Sequence, residues 1–122
     1  MKMKKAIILG ALTGTVLTGT ITAGAMGNVP VGYLYTKNPI YSAPQGYAKT
    51  VGPNGPISAR CIVSKSGYTT KSVSATKKTS GSVETSWISG PTYSSSGTLF
   101  RATHTGYDTD GNYCTASTSK QY

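Results

Sequence analysis

Acidic residues are scarce in this sequence of 122 residues: Glu84, Asp108 and Asp110 stand against twelve lysines and arginines. Histidine occurs once, as His104, and cysteine twice. A paired-carboxylate glycosidase needs two carboxyl groups at a controlled separation, and a tetrahedral zinc site needs a full set of His, Cys or carboxylate ligands. The sequence therefore predicts no metal site and no cofactor.

The usual signature of nucleophilic catalysis is also missing. No Gly-x-Ser-x-Gly segment is present, and a hydrolytic site would have to combine His104 with an acidic residue and an unmarked serine. A lone histidine in a strand is more often a surface or hydrogen-bonded residue. We therefore expect that the protein is not an enzyme and has no catalytic residues.

Long apolar runs are absent after residue 25, and no window there repeats apolar residues at helical spacing. Thr, Ser, Tyr and Val dominate instead, and these side chains suit a pleated sheet. The pattern predicts an all-β fold, namely a small antiparallel β-sandwich, or a small barrel, of about seven strands with one disulfide. The candidate strands are residues 31–36, 47–51, 57–64, 70–77, 82–88, 98–105 and 112–118.

Three regions are expected along the chain. Residues 1–25 have a basic start, an uncharged middle and an Ala-Gly-Ala end, which is typical of a secretory signal peptide cleaved after Ala25. Residues 26–56 are rich in Pro, Gly and Tyr and are interpreted as an N-terminal arm, and residues 57–122 as a disulfide-stapled β domain. We expect a secreted, extracellular protein. A retained membrane anchor is the alternative, but interspersed threonines and Pro30 argue against stable membrane insertion.

The two cysteines, Cys61 and Cys114, allow one intramolecular pairing, and an exported chain lies where thiols oxidise. We therefore expect a disulfide between them, which would stabilise the fold by about 4 kcal/mol on the chain-entropy argument. Both cysteines lie in strand-like segments, which argues against the alternative of a catalytic thiol. Intermolecular pairing is the remaining alternative.

Residues 108–112, Asp-Thr-Asp-Gly-Asn, place side-chain oxygens at alternate positions, as calcium loops do. An EF-hand loop needs glycine at its sixth place and a bidentate carboxylate at its twelfth, whereas here Gly111 is fourth and Ser119 is twelfth. The Asp-Gly pair between two candidate strands instead predicts a hairpin turn. An irregular calcium site is the alternative interpretation.

The segment after residue 25 retains nine basic against three acidic residues, a net charge of +6. This balance favours an anionic envelope polymer or a membrane surface as the partner. The lysines are scattered and form no basic helix, so nucleic acid is not expected. The alternative is that the lysines are solvated residues that protect strand edges from pairing.

Tyrosine is the aromatic residue in excess, with nine copies against one Trp and one Phe. Its rigid ring and polar tip suit contact surfaces and stacking on sugars or lipid headgroups. The alternative is that the tyrosines serve as ordinary strand and core residues. The expected binding residues are Tyr33, Tyr35, Lys37, Tyr41, Tyr47 and Lys49.

Together these features predict a secreted, cationic, non-enzymatic β protein that binds at a cell-envelope or extracellular surface. A signal peptide before a small cationic β-sandwich, richness in tyrosine and serine and an aromatic C-terminus at Tyr122 form a layout that resembles the lactococcin 972-like bacteriocins. The resemblance covers general architecture and implies a bacteriocin-like antimicrobial protein as a second hypothesis. A protease inhibitor that presents a stapled loop is a third hypothesis.

Overall fold

The computed structural model describes residues 8–12, as backbone, and residues 28–122. All regular secondary structure in these residues is β-strand, so the prediction of an all-β fold is confirmed. The strands are β1 (Ile8–Leu12), β2 (Val31–Lys37), β3 (Gln45–Gly52), β4 (Asn54–Ser64), β5 (Lys71–Lys77), β6 (Gly81–Glu84), β7 (Ile88–Ser89), β8 (Leu99–Tyr107) and β9 (Tyr113–Gln121).

The strands form two sheets. The first sheet has the order β1-β2-β3-β6, with β7 also paired to β3, and the second has the order β5-β4-β8-β9. Neighbouring strands from β2 onward run antiparallel, whereas β1 pairs with β2 in parallel. Both sheets contribute to one hydrophobic core, as expected for a sandwich-like architecture.

Alternation along β4 shows how the sequence builds this core. Ala59, Cys61 and Val63 are buried, whereas the intervening Arg60 is exposed, because successive side chains of a strand point to opposite faces of the sheet. The same alternation buries Phe100 and Ala102 of β8 and Ala48 of β3. The core between the sheets consists of Leu34, Ala48, Ala59, Cys61, Val63, Ile88, Phe100 and Ala102.

A buried histidine ties the two sheets together by hydrogen bonds. The ring of His104 lies 2.9 Å from Thr50 Oγ1 through Nδ1 and 3.1 Å from Thr118 Oγ1 through Nε2. Burial lowers the pKa of His104 to about 4, so the ring is neutral at physiological pH. A Cβ atom at Gly32 would lie 2.3 Å from His104 Cγ, so the backbone of β2 rests directly on this ring.

The predicted strand over residues 82–88 is divided into β6 and β7, which pair with two different parts of β3. Between β6 and β7 the ladder is interrupted at Ser86 and Trp87, whereas Thr85 still donates its N–H to the Ala48 carbonyl of β3 at 2.9 Å. Trp87, in this interruption, is 41% exposed. Val83 is only partly buried at the edge of the core.

The predicted N-terminal arm, residues 26–56, contains the strands β2 and β3. These strands form the middle of the first sheet, since β3 lies between β2 and β6. The prolines of this region lie outside β2 and β3, where the missing N–H group interrupts no ladder between those strands. Pro44 and Pro53 directly flank β3 and mark its two ends.

The predicted disulfide is wrong, because Cys61 and Cys114 lie far apart in one sheet. Cys61 is paired with Ala102 of β8, and Cys114 is paired with Gly106 of the same strand. Strand β8 lies between the two cysteines, which places them about 10 Å apart across the strands. Their partners in β8 are four residues apart, which adds about 13 Å along the strands. A disulfide requires Cα atoms within about 7 Å. Burial raises the pKa of the Cys61 thiol to about 12, so this thiol stays protonated.

The predicted hairpin at residues 108–112 is confirmed, because it connects the paired strands β8 and β9. Asp108 Oδ1 accepts hydrogen bonds from the backbone N–H groups of Asp110, at 2.9 Å, and Asn112, at 2.8 Å. Gly111 has a φ of 82°, a left-handed conformation that glycine adopts without strain. The Asp108 carboxylate thus organises the turn.

The predicted cleavage site after Ala25 lies outside the described residues. Of the predicted signal peptide, residues 8–12 are described, and they form β1. Within the described residues, no helix is long and apolar enough to cross a membrane.

Candidate functional site

The first sheet has an outer face, which points away from the second sheet, and this face is unusually apolar. Leu34 of β2 and Ala48 of β3 belong to the core between the sheets. The residues that alternate with them point the other way, and cross-strand pairing places them side by side. These outer pairs are Val31 with Val51, Tyr33 with Lys49, and Tyr35 with Tyr47.

Four aromatic side chains form a continuous row on this outer face, which we call the aromatic row. The rings of Tyr33 and Tyr35 stack with centroids 5.9 Å apart, and those of Tyr35 and Tyr47 stack at 4.8 Å. Trp87 completes the row by an edge contact with Tyr47, with centroids 4.6 Å apart at an interplanar angle of 73°. Both geometries are favourable for aromatic rings, so each contact stabilises the row.

Two lysines flank the aromatic row. Lys37, at the end of β2, places its Nζ 4.4 Å from the centroid of the Trp87 ring, a cation–π contact. Lys49 lies opposite Tyr33, with its Nζ 3.6 Å from Oε1 of Glu84. The positive charge of Lys49 is therefore partly compensated by a neighbouring carboxylate, whereas Lys37 is held against the aromatic surface itself.

The middle of the outer face is buried. Tyr35 is 0% exposed and Tyr33 is 8% exposed, and together with Val31 and Val51 they form a hydrophobic cluster separate from the core between the sheets. The Tyr35 hydroxyl is also buried, and the described residues offer it no hydrogen-bond partner. Burial raises the pKa of Tyr35 to about 12, so the hydroxyl keeps its proton and remains a donor.

Five of the six residues that the sequence identified for binding come together on this face. They are Tyr33, Tyr35, Lys37, Tyr47 and Lys49. The sixth, Tyr41, lies apart in the connection between β2 and β3 and is 89% exposed. Sequence reasoning missed Trp87 as a member, because it placed the residue within one continuous strand over residues 82–88. The run from Val83 to Ser89 contains no Gly, Pro, Asn or Asp that would have marked the break between β6 and β7.

The outer face of the second sheet has a different chemistry, and we call it the hydroxyl face. Ser58 is hydrogen-bonded to Thr105, and Arg60 donates to Ser72 Oγ at 3.2 Å. Most of these residues are exposed. The middle of this face comprises Ser58, Arg60, Ser72, Ser74, Thr76, Arg101, Thr103, Thr105, Thr115, Ser117 and Ser119, with Ile62 among them. One end carries Ser64, Leu99 and Gln121, and the other carries Tyr107 and Tyr113, whose rings are in edge contact with centroids 5.5 Å apart.

The described residues form no pocket, and they contain no group of three or more His, Cys, Asp or Glu side chains placed to hold a metal ion. A flat contact face is therefore the candidate site that the described structure offers. Comparisons of the chain with protein-family models, with curated proteins and with solved structures find no match.

Proposed function

We propose that the protein is a secreted, non-enzymatic binding protein that attaches to an anionic polymer or membrane surface of a cell envelope through the outer face of the first sheet. The observation that supports this proposal is the position of the aromatic row. The two sheets are joined by a separate core, so the stacked rings of Tyr33, Tyr35, Tyr47 and Trp87 are not needed to hold them together. Trp87 and Tyr47 keep part of their ring surface exposed, and exposed aromatic rings of this kind suit contact with a partner.

The charges around the row favour an anionic partner. The chain after residue 25 has a net charge of +6, which draws it toward anionic surfaces over long range. At short range, Lys37 lies beside the exposed ring of Trp87, so an anionic group and an apolar or sugar ring could be bound together. Attraction to the envelope then comes from charge, and retention comes from ring burial.

Exposure indicates which end of the row makes the first contact. Tyr33 and Tyr35 are buried, whereas Trp87 is 41% exposed and Tyr47 is partly exposed. The end formed by Tyr47, Trp87 and Lys37 is therefore the accessible part of the row. We assign initial contact with the envelope to these three residues.

Cosedimentation of the exported protein with purified cell walls and with anionic liposomes tests the proposal. Replacing Trp87 by Ala should weaken binding about tenfold, equivalent to about 1.4 kcal/mol, because the ring surface and the cation–π contact are both lost. Tyr93→Ala is the matched control, since Tyr93 is an exposed aromatic residue outside the row. Failure of the folded wild-type protein to bind either material at low salt would refute the proposal.

A salt series separates the two components of binding. Exposed charges are screened over about 8 Å at physiological ionic strength, so added salt should weaken binding of the wild type. The Lys37→Gln variant should show a smaller salt effect, while the contribution of Trp87 should persist. If wild type and variant show equal salt dependence, Lys37 does not take part in the proposed contact.

A further inference from the structure

Strand β2 has a neighbour on one side that belongs to the predicted signal peptide. Strand β1 pairs with β2 in parallel over five consecutive positions, from Ile8 opposite Val31 to Leu12 opposite Tyr35. Because β1 lies within residues 1–25, removal of the signal peptide would take this neighbour away. Strand β2 would then become the edge of the first sheet, with one row of backbone N–H and C=O groups left unpaired.

This edge lacks the features that normally protect an edge strand. Natural edges carry charges, prolines or bulges that discourage pairing with other chains. The register of β2 against β3 is unbroken over all seven positions, and six of the seven residues of β2 are buried. Its only charged residue is Lys37, at the very end. An exposed β2 is therefore well suited to accept another strand.

We propose that, once residues 1–25 are removed, two copies of the chain pair through β2 in antiparallel orientation and form a dimer with one continuous sheet. The strand order across the interface is then β6-β3-β2 followed by β2-β3-β6 of the second copy. This proposal rests on the secretion proposed above. A two-fold pairing of identical strands closes on itself, which yields a dimer and not a filament.

The sequence of β2 is complementary to itself in this orientation. With Leu34 of both copies opposite each other, Tyr33 lies opposite Tyr35 of the second copy, and aromatic cross-strand pairs stabilise antiparallel sheets. Lys37 lies opposite Val31 of the second copy. The two Lys37 residues are then about 20 Å apart along the strands, so they do not repel each other at close range.

The pairing would also extend the aromatic row. Tyr33 and Tyr35 already stack on one another within β2, and the dimer places the same two rings of the second copy beside them. The outer faces of both first sheets then form one surface, with Trp87 toward each end. A second copy fits this edge better than a charged peptide does, because β2 offers apolar side chains on both of its faces.

The dimer has a salt dependence opposite to that of envelope binding. Each copy has a net charge of +6 after residue 25, so the copies repel each other and added salt weakens this repulsion. Burial of apolar side chains is not screened. Self-association should therefore be unchanged or stronger at high salt, while binding to anionic material becomes weaker. Failure of one proposal can thus be distinguished from failure of the other.

Analytical ultracentrifugation of two forms of the chain tests the dimer. The exported protein, with its N-terminus determined by mass spectrometry, should sediment as a dimer at micromolar concentration. The full chain made without export, which retains residues 1–25, should sediment as a monomer because β1 occupies the edge. A monomeric exported protein at high salt would overturn the proposal, and so would an equally dimeric full chain.

Cysteine cross-linking tests the register. Exported Tyr33→Cys protein mixed with exported Tyr35→Cys protein should form a disulfide-linked dimer on mild oxidation, because residues 33 and 35 of different copies face each other. Either variant alone should cross-link much less, and Tyr41→Cys, in the exposed connection after β2, is the control for random collision. Cross-linking in the mixture no greater than in the Tyr41→Cys control would overturn the proposed pairing even if a dimer is observed.

Discussion

The two outer faces of this sandwich come from the same strand periodicity but have opposite chemistry. The outer face of the first sheet holds the stacked rings of Tyr33, Tyr35 and Tyr47, and its centre is buried. The hydroxyl face of the second sheet is lined mainly by serine, threonine and arginine side chains around Ile62, with Tyr107 and Tyr113 at one end, and most of it is exposed. An antiparallel sheet commonly packs one face on the core and leaves the other in water, as the second sheet does. The first sheet departs from this arrangement.

The difference is already present in the strands themselves. In β4 of the second sheet, buried residues alternate with exposed or half-buried ones, as a strand with one solvent face requires. In β2 of the first sheet, residues 31–36 are all buried. A strand that is apolar on both faces within an antiparallel sheet indicates that its second face also has something to contact. In the proposed function, the first sheet is the binding sheet and the second sheet is its support.

Substituting one residue on each face should give the largest contrast. Tyr35→Ala removes a buried ring that stacks on two neighbours, and it should lower the free energy of unfolding of the full chain by about 3 to 5 kcal/mol. Thr103→Ala on the hydroxyl face should cost less than about 1 kcal/mol, because Thr103 is exposed. Urea unfolding of both variants measures the contrast. Similar losses of unfolding free energy in the two variants would contradict the proposed difference between the faces.

A pH series tests the interior between the two sheets, where His104 is buried. The pKa of His104 is about 4 in the folded chain and 6.5 when unperturbed, so the unfolded chain binds the proton more readily between these values. The free energy of unfolding should therefore decrease as pH falls from 6.5 to 4, by about 3 kcal/mol from this group. Urea midpoints across this interval measure the decrease. His104→Gln should flatten the pH dependence, and an unchanged slope in this variant would assign the effect to other groups.

The smallest effect is expected from charges on the hydroxyl face. Arg60→Gln combined with Arg101→Gln should change the free energy of unfolding by less than about 0.5 kcal/mol, because both residues are exposed. The same pair should reduce envelope binding less than Lys37→Gln combined with Lys49→Gln, although each pair removes two positive charges. Cosedimentation at low salt compares them. Equal losses would mean that net charge, and not the aromatic face, determines binding.

The sequence predicted those elements that depend on local pattern. The alternation over residues 57–64 and 98–105 located β4 and β8 to within a few residues, and Asp108 with Gly111 located the hairpin. The candidate binding residues in β2 and β3 were identified from the excess of tyrosine, and the strand period of two explains why Tyr33, Tyr35 and Lys37 lie on one side of the sheet. These inferences needed no knowledge of strand order.

Features that depend on strand order could not be predicted. The disulfide was inferred from the number of cysteines, but β8 lies between the strands that hold Cys61 and Cys114. The central position of β3 was hidden by Pro44 and Pro53, which suggest an irregular arm until their places at the two ends of the strand are known. The exposed position of Trp87 was not predicted, because no Gly, Pro, Asn or Asp marks the break between β6 and β7 in the local sequence.

The contact between Gly32 and His104 links two positions that are far apart in the chain. The imidazole ring occupies the space where a side chain at position 32 would begin, since a Cβ there would lie 2.3 Å from Cγ of the ring. Position 32 therefore cannot gain a side chain while His104 is kept, whereas position 104 can change to a smaller residue while Gly32 is kept. A larger residue at 32 is tolerated only with a smaller one at 104, and that smaller residue would in turn release Thr50 and Thr118 from their shared partner. In diverging descendants of this chain, these positions should evolve as one unit, and the order of substitutions should begin at 104.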